Sequence, residues 1–186
     1  MPAFLNLEGK SLSGNCSTVK RFLFLSFVFC GVALAGPVDT LNSFELTDQD
    51  GKLRRYHFPR SKVTVMTVAG RKGYEQLAPW IRKIYERYEK RIDIEGVADV
   101  SMIAWPFRRM FRTAFKKQLT YSVMLDWEGS VVRQFNYKRG VANVYVIDRR
   151  GRILKQVSGP VNNNAMRELT REIDRALAET PTHSGQ

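Results

Sequence analysis

Arg139-Gly140-Val141-Ala142-Asn143-Val144-Tyr145-Val146-Ile147-Asp148-Arg149-Arg150-Gly151-Arg152-Ile153 is the stretch that decides the fold of this chain. Val141 to Ile147 reads as a strand. Asp148-Arg149-Arg150-Gly151 supplies turn residues, and Arg152 to Val157 reads as the returning arm of a hairpin. The sheet that contains this segment therefore has at least one antiparallel pair.

Upstream, the pattern changes period repeatedly. Phe44 to Thr47 alternates, Asp48-Gln49-Asp50-Gly51-Lys52 makes a turn, and Leu53 to Phe58 alternates again, which predicts a β-hairpin. Val63 to Val68 is β-branched and mostly apolar, the pattern of a buried central strand. Tyr74, Leu77, Ile81, Ile84, Tyr85 and Tyr88 recur at helical spacing and predict a helix from near Gly73 to Lys90, kinked at Pro79. Ile92 to Met102 reads as a strand with a turn at Glu95-Gly96. Pro106 opens a second helix, Tyr121 to Leu125 is a strand, and Val131 to Tyr137 is a short extended piece. Downstream of the hairpin, Asn162 or Asn163 caps a last helix with a stripe of Met166, Leu169, Ile173 and Leu177. Strands that alternate with helices give βαβ units, and the closing hairpin makes the sheet mixed: an α/β fold.

The N-terminal 35 residues have a different character. Lys20-Arg21 precedes a 14-residue apolar run, 22–35, that ends on Ala33-Leu34-Ala35. A membrane span needs roughly 20 residues, so the run fits the h-region of a secretory signal cleaved before Gly36. The alternative is an uncleaved anchor in the inner membrane. Cys30 does not mark a lipoprotein, because Phe29 before it is not small. Residues 1–18 are polar and mixed, and a start at Val19 would give a compact leader. The expected organisation is thus a leader over 1–35, a domain over 36–180 and a frayed tail over 181–186, in a periplasmic or secreted protein.

The only cysteines, Cys16 and Cys30, fall inside that leader. The mature chain is left with no thiol, disulfide or thiolate ligand. Neither His57 nor His183 has metal-ligand spacing to a partner, so no metal site is expected. Gly70 and Gly73 do not form a phosphate-loop motif, and no cofactor is called for. Lys+Arg outnumber Asp+Glu 30 to 18, a net charge of +12. That balance suits anions: nucleic acid, phosphate or an anionic surface. Export argues against nucleic acid, and helical spacing already accounts for interleaved residues such as Tyr85, Arg87 and Tyr88.

The segment from Arg139 to Ile153 resembles the R-G-V-P-x-x-F-x-I-D-x-x-G-x-I stretch of the thioredoxin-like superfamily, particularly periplasmic redoxins related to thiol-disulfide interchange proteins and peroxiredoxins. Leu119 to Asp126 with Gly129, Ala78-Pro79-Trp80 through Tyr88, and the hairpin at Asp50-Gly51-Lys52 extend the resemblance over about Ser43 to Leu177. It implies a three-layer fold with a mixed central sheet, flanking helices and an N-terminal β-hairpin. Counted back from Pro79, the family's C-x-x-C would lie at Arg71-Lys72-Gly73-Tyr74, where neither cysteine is present. The family's cis-proline would lie at Ala142, next to Val141. The leader and Val68-Ala69-Gly70-Arg71 also resemble the YtfJ-type group of exported, cysteine-lacking thioredoxin-like proteins.

Two functions follow from these residues. One is a non-catalytic binding or adaptor module whose partner is a protein or an anionic surface. The other is the thiol-disulfide oxidoreductase or peroxiredoxin-like role in cell redox homeostasis that the resemblance implies, which needs Cys30 retained or a partner's cysteine. Arg71 and Lys72, at a helix N-terminus, read either as an anion pocket or as solvated loop residues. The second helix also reads two ways. Arg108, Arg109, Arg112, Lys116 and Lys117 could rest on an anionic membrane surface. Alternatively Phe107, Met110, Phe111 and Phe115 pack on the sheet while the cations face water.

Overall fold

A computed structural model of the chain describes residues 40–119 and 121–179. The leader with both cysteines and the tail 181–186 lie outside them. Seven strands form one sheet: β1 (Phe44–Asp48), β2 (Leu53–Tyr56), β3 (Thr64–Ala69), β4 (Asp93–Asp99), β5 (Met124–Asp126), β6 (Asn143–Ile147) and β7 (Ile153–Ser158). Among the described residues three α-helices accompany them: α1 (Leu77–Tyr88), α2 (Arg108–Gln118) and α3 (Asn163–Ala178). The strand order is β2-β1-β5-β4-β3-β6-β7. β3, β4 and β5 are parallel, and the other pairings are antiparallel. The N-terminal hairpin and the mixed sheet expected from the sequence are both present.

β3 pairs with β6, in register from Thr64 against Ile147 to Val68 against Asn143. Every residue of both strands is buried. Alternation along a strand sends neighbouring side chains to opposite faces, so two cores share these strands. On one face Val65, Val144 and Val146 meet Trp80, Ile84 and Tyr88 of α1 and Leu169 and Ile173 of α3. On the other, Met66, Val68, Tyr145 and Ile147 meet Phe44, Tyr56, Val132 and Phe135. Each large apolar side chain buried this way contributes roughly 1.5–3 kcal/mol. In the first core the polar ends of two aromatics are satisfied: the Trp80 indole donates to the Gly159 carbonyl at 3.0 Å, and the Tyr88 hydroxyl bonds Asp174 at 2.9 Å. Asn162 caps α3, its Oδ1 accepting from the Ala165 amide at 2.9 Å.

Several expectations are corrected. Residues 131–137 are not extended: a 3-10 turn, Val132–Phe135, covers the second core. It is fastened by Asp126, whose Oδ2 accepts from the Val131 and Val132 amides at 2.8 Å each. There is no turn at Glu95-Gly96, since β4 runs straight through both. Gly96 serves close packing instead, because a Cβ there would stand 3.3 Å from Thr67 Oγ1 and 3.4 Å from Val123. The first α-helix begins only at Leu77, after a 3-10 turn over Tyr74–Gln76. Pro79 therefore falls in the first turn, where its missing N–H has no carbonyl to satisfy. Pro106 likewise sits in a 3-10 turn, Trp105–Phe107, ahead of α2.

Asp126 is fully buried. Asp126→Ala should lower stability by about 2–4 kcal/mol, because two buried amides lose their acceptor. Urea denaturation measures this directly; a loss below about 0.5 kcal/mol would mean that the turn is held by its apolar contacts alone.

Candidate functional site

The loops that the sequence singled out do meet. A Cβ on Gly73 would lie 2.2 Å from the Val141 carbonyl oxygen and 2.8 Å from the Ala142 nitrogen. Gly73 has φ −83°, which any residue tolerates. Glycine is needed here for the close approach of two backbones and not for its φ. Arg71 and Lys72 are exposed, and among the described residues neither has a hydrogen-bond or ion-pair partner. Four amides of the loop and the turn after it are already committed. Gly73 and Tyr74 both donate to the Gly70 carbonyl, Gln76 donates to Gly73, and Leu77 to Tyr74.

Ala142 is fully buried, and its peptide bond with Val141 is trans. Its N–H donates to Gln76 Oε1 at 3.2 Å, a bond that proline could not make. Its carbonyl accepts from Gly159 at 2.8 Å. Sequence reasoning missed Gln76, and it also missed Asn143. The Asn143 side chain is buried and acts as the hub of the second loop. Its Oδ1 accepts from the Lys138 amide and the Ser158 hydroxyl, and its Nδ2 donates to the carbonyls of Lys138 and Val141. The available signal was an amide inside an otherwise apolar strand, since a buried polar group has to be bonded.

Beside these loops lies a cleft of about 680 Å³. Thr67, Ala69, Gly96 and Ala98 line it from the sheet, Leu77 from α1, and Phe111, Ala114 and Phe115 from α2. Arg71, Lys72, Arg139 and Met102 border it as well. Asp99 is its one carboxylate. Oδ1 of Asp99 accepts from the amide and hydroxyl of Ser101, and Oδ2 accepts from the Tyr137 hydroxyl. Burial works against the charged form of Asp99. The bonds from Ser101 and Tyr137, with Arg139 nearby, outweigh it and hold the carboxyl below its ordinary 3.8. Burial and then Asp99 push the Tyr137 phenol up. The Tyr121 phenol is pushed up to about 12 by burial and by neighbouring Tyr74.

The second helix departs from the packing expectation. Phe107 and Met110 do not pack on the sheet, and are 57% and 67% exposed. Arg108 and Arg112 do not face water. Both guanidinium groups lie over the Trp127 ring, 5.3 and 5.9 Å from its centroid, and Arg108 also bonds Glu128 at 2.9 Å. Lys116 pairs with Asp50 at 2.8 Å. Of the five cations, Arg109 and Lys117 remain exposed without a side-chain partner among the described residues. Trp127 explains the reversal: its ring attracts cations, and the same ring meets Phe111 edge-on at 6.1 Å.

Other chemistry is sparse. Residues 31–186 contain no cysteine, and the described residues hold no cluster of side chains able to bind a metal. His57 sits on the exposed hairpin, 3.4 Å from Glu45.

No protein-family model matches the chain, and no curated protein does. Solved structures do. A candidate thiol:disulfide interchange protein, DsbE, from Chlorobium tepidum has 20% identity and a TM-score of 0.58, over 75% of this chain and 96% of its own. The exposed lipoprotein thioredoxin Etrx1 of Streptococcus pneumoniae has 20% identity and a TM-score of 0.56, over 70% and 98%. A candidate thioredoxin from Neisseria meningitidis has 23% identity and a TM-score of 0.57, over 78% and 94%. At such identities the likeness establishes the fold: this is a thioredoxin-like α/β domain.

Two outcomes are expected at the site. Gly73→Ala should cost about 1–3 kcal/mol by overpacking against Val141 and should shift the amide resonance of Ala142; an unchanged melting temperature and spectrum would contradict the close approach. Asp99 has a depressed carboxyl, so its stabilisation is complete above the unfolded-state value and is lost as pH falls through the lower folded value. The stability gap between the protein and Asp99→Ala should stay constant from neutrality to about pH 5 and close below that. Denaturation at a series of pH values reads it; a gap that survives strong acid would assign it to packing.

Proposed function

We propose that this chain is an exported binding or adaptor module on a thioredoxin-like scaffold, one that performs no dithiol exchange of its own. In this reading 1–35 is a signal peptide, 36–180 the working domain, and the site of action the periplasm or the cell exterior. The observation that carries it is the joining of two loops with no thiol between them. Gly73 seats against Val141-Ala142, and Arg71 and Tyr74 stand where the cysteines would be. Disulfide exchange needs a thiolate as nucleophile, and neither a guanidinium nor a phenol supplies one. The charges of Arg71 and Lys72, unpaired among the described residues, support an acidic partner surface, steered by a net charge of +12. Exposed location of one neighbour, the pneumococcal lipoprotein, is in keeping with export. No helix among the described residues is long and apolar enough to cross a membrane.

The competing reading is an oxidoreductase that retains Cys30 or borrows a thiol. Maleimide labelling of the processed protein, together with an insulin-reduction assay, separates the two. The module reading expects no label and no reduction, and a labelled, active protein would overturn it. A partner captured from the periplasmic fraction by the immobilised protein should be released by salt and lost from an Arg71→Ala/Lys72→Ala double variant.

A further inference from the structure

Where α2 passes over the sheet, the strands beneath it present small side chains. Ala69, Gly96 and Ala98 cannot reach across to the helix, and Ala114 on the helix does not reach back. The resulting cleft, about 680 Å³, lies in the range of roughly 300–1,000 Å³ that takes up one small molecule. Its inner walls are apolar: Leu77, Val97, Val123, Phe111 and Phe115. Its border is cationic, with Arg71, Lys72 and Arg139 against the single carboxylate of Asp99, which Ser101 and Tyr137 already engage. Met102, 83% exposed, adds an apolar lip.

A fitting ligand is apolar along most of its length and carries one negative end. We propose that this cleft binds a single-chain apolar carboxylate of the fatty-acid type, its chain over Gly96 and Ala98 and its carboxylate held by Arg71 and Lys72. A flat bilayer surface could meet those cations but could not fill a concave space; a single acyl chain can do both. The inference rests on the proposed reading of the groove as a binding site, and it names that site's ligand.

The test is calorimetric titration of dodecanoate into the full chain. Saturable binding of one dodecanoate per chain is expected. Dodecanol, with the same chain and no charge, should bind at least about tenfold more weakly. Arg71→Ala/Lys72→Ala should weaken dodecanoate by about tenfold and leave dodecanol unchanged. Ala114→Trp, at an exposed helix position, should fill the cleft and remove binding of both ligands while the circular dichroism spectrum is unchanged. Ala98→Phe should do the same from the sheet side, and the two loop substitutions keep the test decisive if either bulky variant fails to fold. The proposal is overturned by absence of saturable dodecanoate binding, by equal binding of dodecanol, or by full binding in folded Ala114→Trp. Co-sedimentation with phosphatidylglycerol vesicles in the absence of dodecanoate binding also overturns it, and assigns the cations to a membrane surface. Failure here with no thiol labelling leaves the module reading standing. Dodecanoate binding by a labelled, insulin-reducing protein removes the module reading and keeps the cleft.

Discussion

β3 and β6 lie side by side in the sheet, antiparallel and buried on both faces, and the geometry of the rest follows from that pairing. Val68 at the end of β3 faces Asn143 at the start of β6. The chain leaving β3 and the chain entering β6 must therefore lie next to each other. That adjacency brings Gly70–Tyr74 against Val141-Ala142, and it holds whether or not the loops carry cysteines. Alternation along the same two strands divides their side chains between the two cores. A substitution at the strand ends thus reaches the site and both cores together.

At this shared end the side chains carry structure. Tyr74 reaches α2, its ring 6.0 Å from that of Phe115, which in turn stacks on Phe111 at 5.3 Å. Ala142 donates to Gln76, and Asn143 ties the loop before it to β7. The position of α2 depends on contacts other than a full apolar interface. Cation–π contacts of roughly 0.5–1 kcal/mol each, from Arg108 and Arg112 to Trp127, act with the Lys116–Asp50 pair at its other end. A helix held at its flanks over a floor of small residues leaves a cleft between, with Arg71 and Lys72, unpaired among the described residues, at its border.

Much of this was legible in the sequence. Asp48 and Asp148 each open a turn that closes on a glycine with φ near +80° or +90°, and each accepts hydrogen bonds from the amides two and four residues on. Such turns need only local chemistry, so their residue types announce them. The β-branched runs of β3 and β6, the stripe of α3 and its Asn162 cap are local in the same sense. The boundaries of α1 and β4 were misread because Pro79 and Gly96 have two uses each. Proline starts helices as well as kinking them, and glycine admits close packing as well as turning chains. The 3-10 turn at Val132–Phe135 depends on the buried carboxylate of Asp126, whose partners no spacing rule identifies.

By itself the sequence determined the order of elements, the mixed sheet and the absence of cysteine after residue 30. The elements rest on local propensity and on hydrophobic period, which neighbouring residues set. Only the tertiary structure decided which cations are free. Arg108, Arg109 and Arg112 share one helix and one residue type, yet two are spent on Trp127 and one is not. It also decided that small residues on β3, β4 and α2 face one another and leave a cleft. Volume between elements is a property of how they pack, and no single element's sequence contains it.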